Sequence, residues 1–284
     1  MGGVQPRQGI RYAASMRLVT LLLILICPTM VSAKKNAWSR FTTPSGSAES
    51  IGSYAKGCLL GGVSLPEKAP GLETIRRYRK RFFGHPVLTD FLLAYGEKIK
   101  AMGFAPVLVG DMSQVRGGPM PSGHRSHQMG LDADVWFTTP PPAKRGKDGG
   151  FVSLVAAGER VNTAGFTPRT VGLLRTAAQS PVVARIFVGW VIKRELCRVV
   201  KGDRGWLRKI RPWWGHTRHF HVRLHCPPGS PDCRNQAVIP EGDGCGQEAW
   251  FSKAAVAKRK KKKKIKKKKK PAKPLPTRCL DLIK

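Results

Sequence analysis

The chain has 284 residues, an apolar content of 41%, and Lys+Arg 51 against Asp+Glu 17, for a formal net charge of +34. That is enough chain for one large domain or two small ones, and enough apolar side chain for a core, which separates it from a disordered polycation. So large a positive charge calls for polyanionic surroundings: nucleic acid, an anionic membrane surface or a charged polymer.

The N-terminus chooses among these. Arg7, Arg11 and Arg17 precede an apolar run from Leu18 to Ile26, and Val31-Ser32-Ala33 reads as a cleavage site. This is the pattern of a secretory signal peptide over residues 1–33, with Met16 as an alternative start. The run is shorter than the about 20 residues a membrane-spanning helix needs. Cys27 follows Ile26, where a lipoprotein would carry a small residue, so a lipid anchor is not expected. Export makes the periplasm the expected compartment and nucleic acid the poorest partner. Removal of the signal leaves Cys58, Cys197, Cys226, Cys233, Cys245 and Cys279. An even number in an exported chain predicts three disulfides. Cys226 and Cys233 bracket P-P-G-S-P-D and are expected to pair locally.

Residues 34–57 are polar, rich in Gly and Ser, and read as irregular. A basic segment, R-R-Y-R-K-R at 76–81, comes before a helix that opens at Pro86. Val87, Leu88, Phe91, Leu92, Tyr95 and Ile99 recur at helical spacing, and Gly103 follows the end. His85, at the helix start, is read as structural. A strand is expected at 106–110. Residues 121–137, P-S-G-H-R-S-H-Q-M-G-L-D-A-D-V-W-F, hold His124, His127, Asp132 and Asp134. From Leu131 the apolar residues alternate with Asp132, Asp134 and Trp136, which predicts a half-buried strand with carboxylates on its polar face. Residues 138–150 read as a loop. A second helix starts at Thr167-Pro168 and runs to Gln179, a strand covers 182–188, and a third helix covers 191–200. Beyond Asp203 the chain is dense in Trp, Arg and His, which fits a groove for sugars and carboxylate-bearing peptides, an arginine-rich surface strand beside a tryptophan core or, least well in an exported chain, a nucleic-acid surface. The expected catalytic domain is 34–257. Residues 258–270, K-R-K-K-K-K-K-I-K-K-K-K-K, begin a disordered Lys/Pro-rich linker over 258–278, which would tether the protein to an anionic wall or membrane surface. Cys279 would pin the tail, 279–284, to the body.

A second cluster completes the first. His219, His221, Arg223 and His225 alternate with Phe220, Val222 and Leu224, so His219 and His221 share one strand face about 6.6 Å apart. His127, Asp134 and His221 offer two imidazoles and one carboxylate, the donor set of a catalytic zinc site with an open position. The chain has no H-E-x-x-H, and neither cluster contains Glu, so the general base is expected to be His219, assisted by His216. His124 stands open between a group supporting the ligands, an auxiliary ligand, to the same or a second ion, and a turn residue. Asp132 is read as an ordinary strand charge, with orientation of a ligand imidazole as the alternative. His225 is read as structural.

These residues resemble the penicillin-insensitive murein endopeptidase family, within the lysostaphin/D-Ala-D-Ala-peptidase/hedgehog group of zinc proteins. The group pattern is His, then Asp seven residues on, then a distant H-x-H, matched here by His127, Asp134 and His219-Phe220-His221. The family resemblance rests on G-D-M-S-Q-V-R-G-G-P-M-P-S-G-H-R-S-H-Q-M-G-L-D-A-D at 110–134, L-R-K-I-R-P-W-W-G-H at 207–216 and H-F-H-V-R-L-H-C-P at 219–227. It implies an α+β fold around a small antiparallel sheet that carries zinc on its face, flanked by helices and loops. It implies zinc at His127, Asp134 and His221, with His219 and His216 as catalytic histidines. It implies hydrolysis of D-alanyl–meso-diaminopimelyl cross-links in peptidoglycan without a serine nucleophile. It also implies the pairings Cys58–Cys279, Cys197–Cys245 and Cys226–Cys233. The alternatives are a D,D-carboxypeptidase of the same group and a non-catalytic basic wall-binding protein. The lysine block is not a feature of the resemblance.

Overall fold

The computed structural model describes residues 1–3, 37–142, 150–262 and 274–284. The expected signal segment from residue 4 on, most of the loop at 138–150, and 263–273 of the basic linker lie outside the described residues. Contacts divide the chain into Met1–Lys34 and Lys35–Lys284, and the account below concerns the second unit.

A hairpin comes first, β1 (Glu49–Ser53) with β2 (Lys56–Leu60). From residue 49 on this replaces the irregular structure expected over 34–57, while 41–48 is irregular as expected. Gly and Ser hide the strand pattern here, and the hairpin is held by tertiary contacts rather than by β-propensity. The short strands β3 (Val63–Ser64), β4 (Lys68–Ala69), β5 (Leu72–Thr74) and β6 (Phe83–Gly84) lead to α1 (Pro86–Ala101). His85 is the cap of α1: its Nδ1 accepts from the Val87 N–H at 3.2 Å, and Pro86 fills the first turn, where no N–H is needed. Then come β7 (Val107–Gly110), β8 (Asp132–Trp136), β9 (Val155–Ala156), β10 (Arg160–Val161) and α2 (Pro168–Gln179), followed by β11 (Val183–Gly189) and α3 (Trp190–Val199). The chain closes through β12 (Ile210–Trp213), β13 (His219–Leu224), α4 (Lys253–Lys262) and α5 (Thr277–Asp281). Helix α4 takes in the first five residues of the basic block.

The main sheet has seven strands in the order β12-β11-β13-β8-β7-β5-β4. Its middle, β11-β13-β8-β7, is antiparallel, while β12 and β5 join in parallel at the two sides. The fold is α+β, and its antiparallel middle carries the site. The sheet is wider than expected, because the added strands are two to four residues long and show no alternation to read.

The two faces of the sheet do different work. Ala133 and Val135 of β8, Phe220, Val222 and Leu224 of β13, and Ile186 and Val188 of β11 pack into one core with Leu88, Leu92 and Ile99 of α1 and Leu173, Leu174 and Ala177 of α2. The Tyr95 hydroxyl donates to Leu173 O at 3.0 Å and ties the two helices together. The opposite face carries Asp132, Asp134, His219, His221 and Arg223. That face is covered as well: Asp132 is 0% exposed and Asp134 2%. The strand is therefore buried on both sides, not half-buried as its alternation suggests. Alternation sorts residues between faces but does not tell whether the polar face is roofed.

Candidate active site

Two pieces of backbone bring the site together. His127 opens a single helical turn, His127–Met129, which Gly130 closes at φ 72°. A Cβ at residue 130 would lie 2.7 Å from Leu59 Cδ2 and 2.8 Å from His85 N, so only glycine turns the chain from His127 into β8 at this point. Gln128 fastens the turn to the β1–β2 hairpin. Its Oε1 accepts from Gly57 N at 3.3 Å, and its Nε2 donates to Ala55 O at 2.9 Å. Ser50 Oγ donates to Met129 O at 2.8 Å. The second piece is the β8–β13 ladder, where His221 pairs with Asp134, Arg223 with Asp132, and His219 with Trp136.

The resulting geometry is compact. His127 Nε2 lies 3.2 Å from His221 Nδ1 and 3.6 Å from Asp134 Oδ1, and His221 Nδ1 lies 3.2 Å from Asp134 Oδ1. These three atoms form a nearly equilateral triangle. Four donors arranged tetrahedrally at about 2.0–2.1 Å from one ion stand about 3.3 Å apart, which matches. His221 Nε2 donates to Asp132 Oδ1 at 2.9 Å, so His221 Nδ1 carries the lone pair. Asp134 Oδ1 is buried without a hydrogen-bond partner. His127 Nε2, His221 Nδ1 and the unpartnered Asp134 Oδ1 thus converge in a buried space, an arrangement that a cation relieves. In the protein alone the same demand for positive charge falls on His221. Burial pulls its pKa down, but Asp132 and Asp134 outweigh burial and push it up to about 9. Burial drives His127 the other way, down to about 3.

His124, at φ 42°, spans two carboxylates, with Nδ1 2.9 Å from Asp134 Oδ2 and Nε2 3.3 Å from Asp111 Oδ2. His124, His127 and Asp134 each offer a ligand atom within 4.8 Å of the others, so this group could hold a metal ion. Burial favours the neutral form of Asp134, yet the charges of His219 and His127 and the contact from His124 to Oδ2 hold its carboxyl well below the ordinary range.

The expected catalytic histidines stand at the rim. His219 Nε2 lies 3.6 Å from Asp134 Oδ2, and the ring sits 5.0 Å from Trp136. His216 lies 5.3 Å, ring to ring, from His219 and 5.8 Å from His221. Its Nδ1–H donates to Trp214 O at 2.8 Å, which leaves Nε2 as the free lone pair. Burial lowers the pKa of both residues, His216 to about 4. All six residues singled out in the sequence therefore meet in one place, and the exposed His225 stays out of it.

One participant, Asp111, was not recognised in the sequence, and for Asp132 the alternative reading is the one the structure favours. Asp132 is a buried anchor, not a solvated charge: it holds His221 and also accepts from Arg223 Nε at 2.7 Å. Asp111, 3% exposed, accepts from Arg79 Nη1 at 2.6 Å and Arg81 Nη1 at 3.3 Å. The basic run at 76–81, which was conspicuous in the sequence, thus folds over the carboxylate behind His124.

The three disulfides are Cys58–Cys279, Cys197–Cys245 and Cys226–Cys233, as the resemblance implies. All six cysteines after Cys27 are thereby used, and the clustered groups at the centre are imidazoles and carboxylates. The model of the penicillin-insensitive murein endopeptidase family matches residues 50–284, and the chain belongs to that family. It is 41% identical over 242 residues to the penicillin-insensitive murein endopeptidase of Haemophilus influenzae, covering 82% of this chain and 85% of the relative. It is 41% identical over 240 residues to that of Yersinia enterocolitica, covering 81% and 86%. For a Klebsiella pneumoniae relative of the same name the identity is 38% over 243 residues, covering 83% and 89%.

Proposed function

We propose that this protein is a periplasmic zinc endopeptidase that hydrolyses the D-alanyl–meso-diaminopimelyl cross-link of peptidoglycan. The observation that carries the metal assignment is the triangle of His127 Nε2, Asp134 Oδ1 and His221 Nδ1, with its buried, unpartnered carboxylate oxygen. Two imidazoles and one carboxylate are a zinc donor set, whereas magnesium or calcium would draw mostly on oxygen. A zinc ion held there supplies a Lewis acid that acidifies water and polarises the scissile carbonyl. His124 is placed to add a ligand atom or to steady Asp134.

The protein's own residues handle the protons. His219, kept neutral by its buried setting, takes the proton of the attacking water as oxygen bonds to the carbonyl carbon. It returns that proton to the amine nitrogen as the C–N bond breaks. His216, fixed by Trp214 O, offers Nε2 from the other side of the same opening. The family membership and the signal-like N-terminus support the substrate and the compartment.

The test is incubation with purified cross-linked muropeptides, with and without a chelator, read by mass spectrometry. Dimers are expected to become monomers, and chelation or His221→Ala should abolish the conversion. Loss of terminal D-alanine from pentapeptide monomers, with dimers intact, would replace this reading with a carboxypeptidase. Activity that survives both chelation and His221→Ala would refute it.

A further inference from the structure

The site face of the sheet continues past the catalytic centre. Along one row of the ladder, Asp134 of β8 pairs with His221 of β13, His221 with Phe187 of β11, and Phe187 with Arg211 of β12. Paired residues point to the same face, so Arg211 looks out on the side where Asp134 and His221 meet. Two strand spacings of about 4.8 Å put it roughly 10 Å from His221. Beyond Phe187, whose ring is 5.5 Å from that of His221, a cavity of about 690 Å³ opens, a size typical of ligand sites. Arg185, Arg211, Phe187, Trp213, Trp250 and Phe251 are among the residues that line it. Trp213 and Trp250 are half exposed, at 46% and 50%.

The charges here are unbalanced. The Arg211 side chain has no hydrogen-bond or ion-pair partner among the described residues. It lies close enough to Arg185 and Lys193 to lower the pKa of each, although burial is the larger cause in both. The nearby acids are engaged elsewhere: Asp243 binds Arg204, and Glu248 accepts from Gly246 N. Arg185 spends one donor on Ala237 O. Unpaired guanidinium beside an aromatic wall is the equipment for gripping a planar anion with apolar flanks.

We infer that this cavity is a carboxylate-binding subsite, in which Arg211, aided by Arg185, holds a free carboxylate of the acidic stem peptide roughly 10 Å from the scissile bond, about three residues of extended chain. The inference rests on the peptidoglycan reading given above. It makes Arg211 a specificity determinant for substrates that retain free carboxylates, with Phe187 as the partition between the grip and the reacting bond.

The test compares one purified cross-linked muropeptide dimer with the same dimer after its side carboxylates have been converted to amides. Wild-type protein is expected to prefer the free-carboxylate dimer by about tenfold or more in kcat/KM, the loss typical when a charged hydrogen bond is removed. Arg211→Gln should lose that preference, chiefly through a higher KM, and Arg211→Lys should restore part of it. The same ranking is expected from quenching of tryptophan emission by a non-cross-linked stem tripeptide, a readout independent of turnover. Equal use of both dimers by the wild type overturns the inference. So does a preference that survives Arg211→Gln and Arg185→Gln together. Failure of the wild type to cleave either dimer would count instead against the endopeptidase reading.

Discussion

Asp132 determines which nitrogen His221 presents. A carboxylate can only accept, so the proton sits on Nε2 and the lone pair on Nδ1, turned toward His127 and Asp134. Asp132→Asn would weaken this control and leave Arg223 without its ion pair. The expected result is about 10–100-fold weaker metal affinity, the usual cost of losing an outer hydrogen bond to a ligand histidine. Competition with a chromogenic chelator measures it, and unchanged affinity would remove Asp132 from the account. The rim histidines make a prediction about pH. A base must be unprotonated, and a pKa below the ordinary 6.5 keeps it so as the solution is acidified. kcat/KM on a cross-linked dimer should therefore stay flat from roughly pH 7 to pH 6, where an ordinary histidine would already titrate. A fall centred on the ordinary value would contradict the buried setting of His219. The convergence of His127, His219 and His221 was legible because their spacing and alternation are chemical signals in themselves. Asp132 and Asp111 were not, because an Asp reads alike in sequence whether water or Arg223 is its neighbour.

The β1–β2 hairpin shows how an element with little sequence signal can matter to the site. Cys58 of β2 and Cys279 of α5 are both fully buried, packed with Trp38 and Ile51. The same hairpin receives the two side-chain contacts of Gln128 that hold the His127 turn. The disulfide therefore steadies a proposed metal ligand it never touches. Cys279→Ser should cost about 2–5 kcal/mol of stability, since the bond closes a long loop. Non-reducing denaturant titration should register that loss, together with weaker metal binding. An unchanged midpoint would mean the hairpin stands without its clasp. By contrast α1 and α2 announce themselves: Pro86 and Pro168 open them, and apolar residues at helical spacing face a common core. Strands β5 and β12 are too short for any period, and only their neighbours define them.

At the scale of the molecule, the positive charge is partly concentrated in one block. Residues 258–270 hold twelve lysines and arginines with one Ile between them. Five of these residues extend α4. Near an anionic surface each Lys is worth roughly 1 kcal/mol at low salt, so the block has ample strength to act as a tether. Removing 258–270 should reduce retention on anionic vesicles or isolated wall at low salt, with the difference fading as salt rises. Equal retention of both forms would rule the tether out.

The division of labour between the faces of the sheet has a further consequence, for how this gene can change. His219, His221 and Arg223 alternate with Phe220, Val222 and Leu224, so a one-residue shift trades the two sets completely. Substitutions can sample the site one side chain at a time and leave the core alone. Losing or gaining a single codon within 219–224 would turn the histidines into the apolar interior and the core residues into the site in one step. Lineages descended from this sequence can therefore drift in side chains along β13, but its length in codons is held fixed by folding and chemistry together.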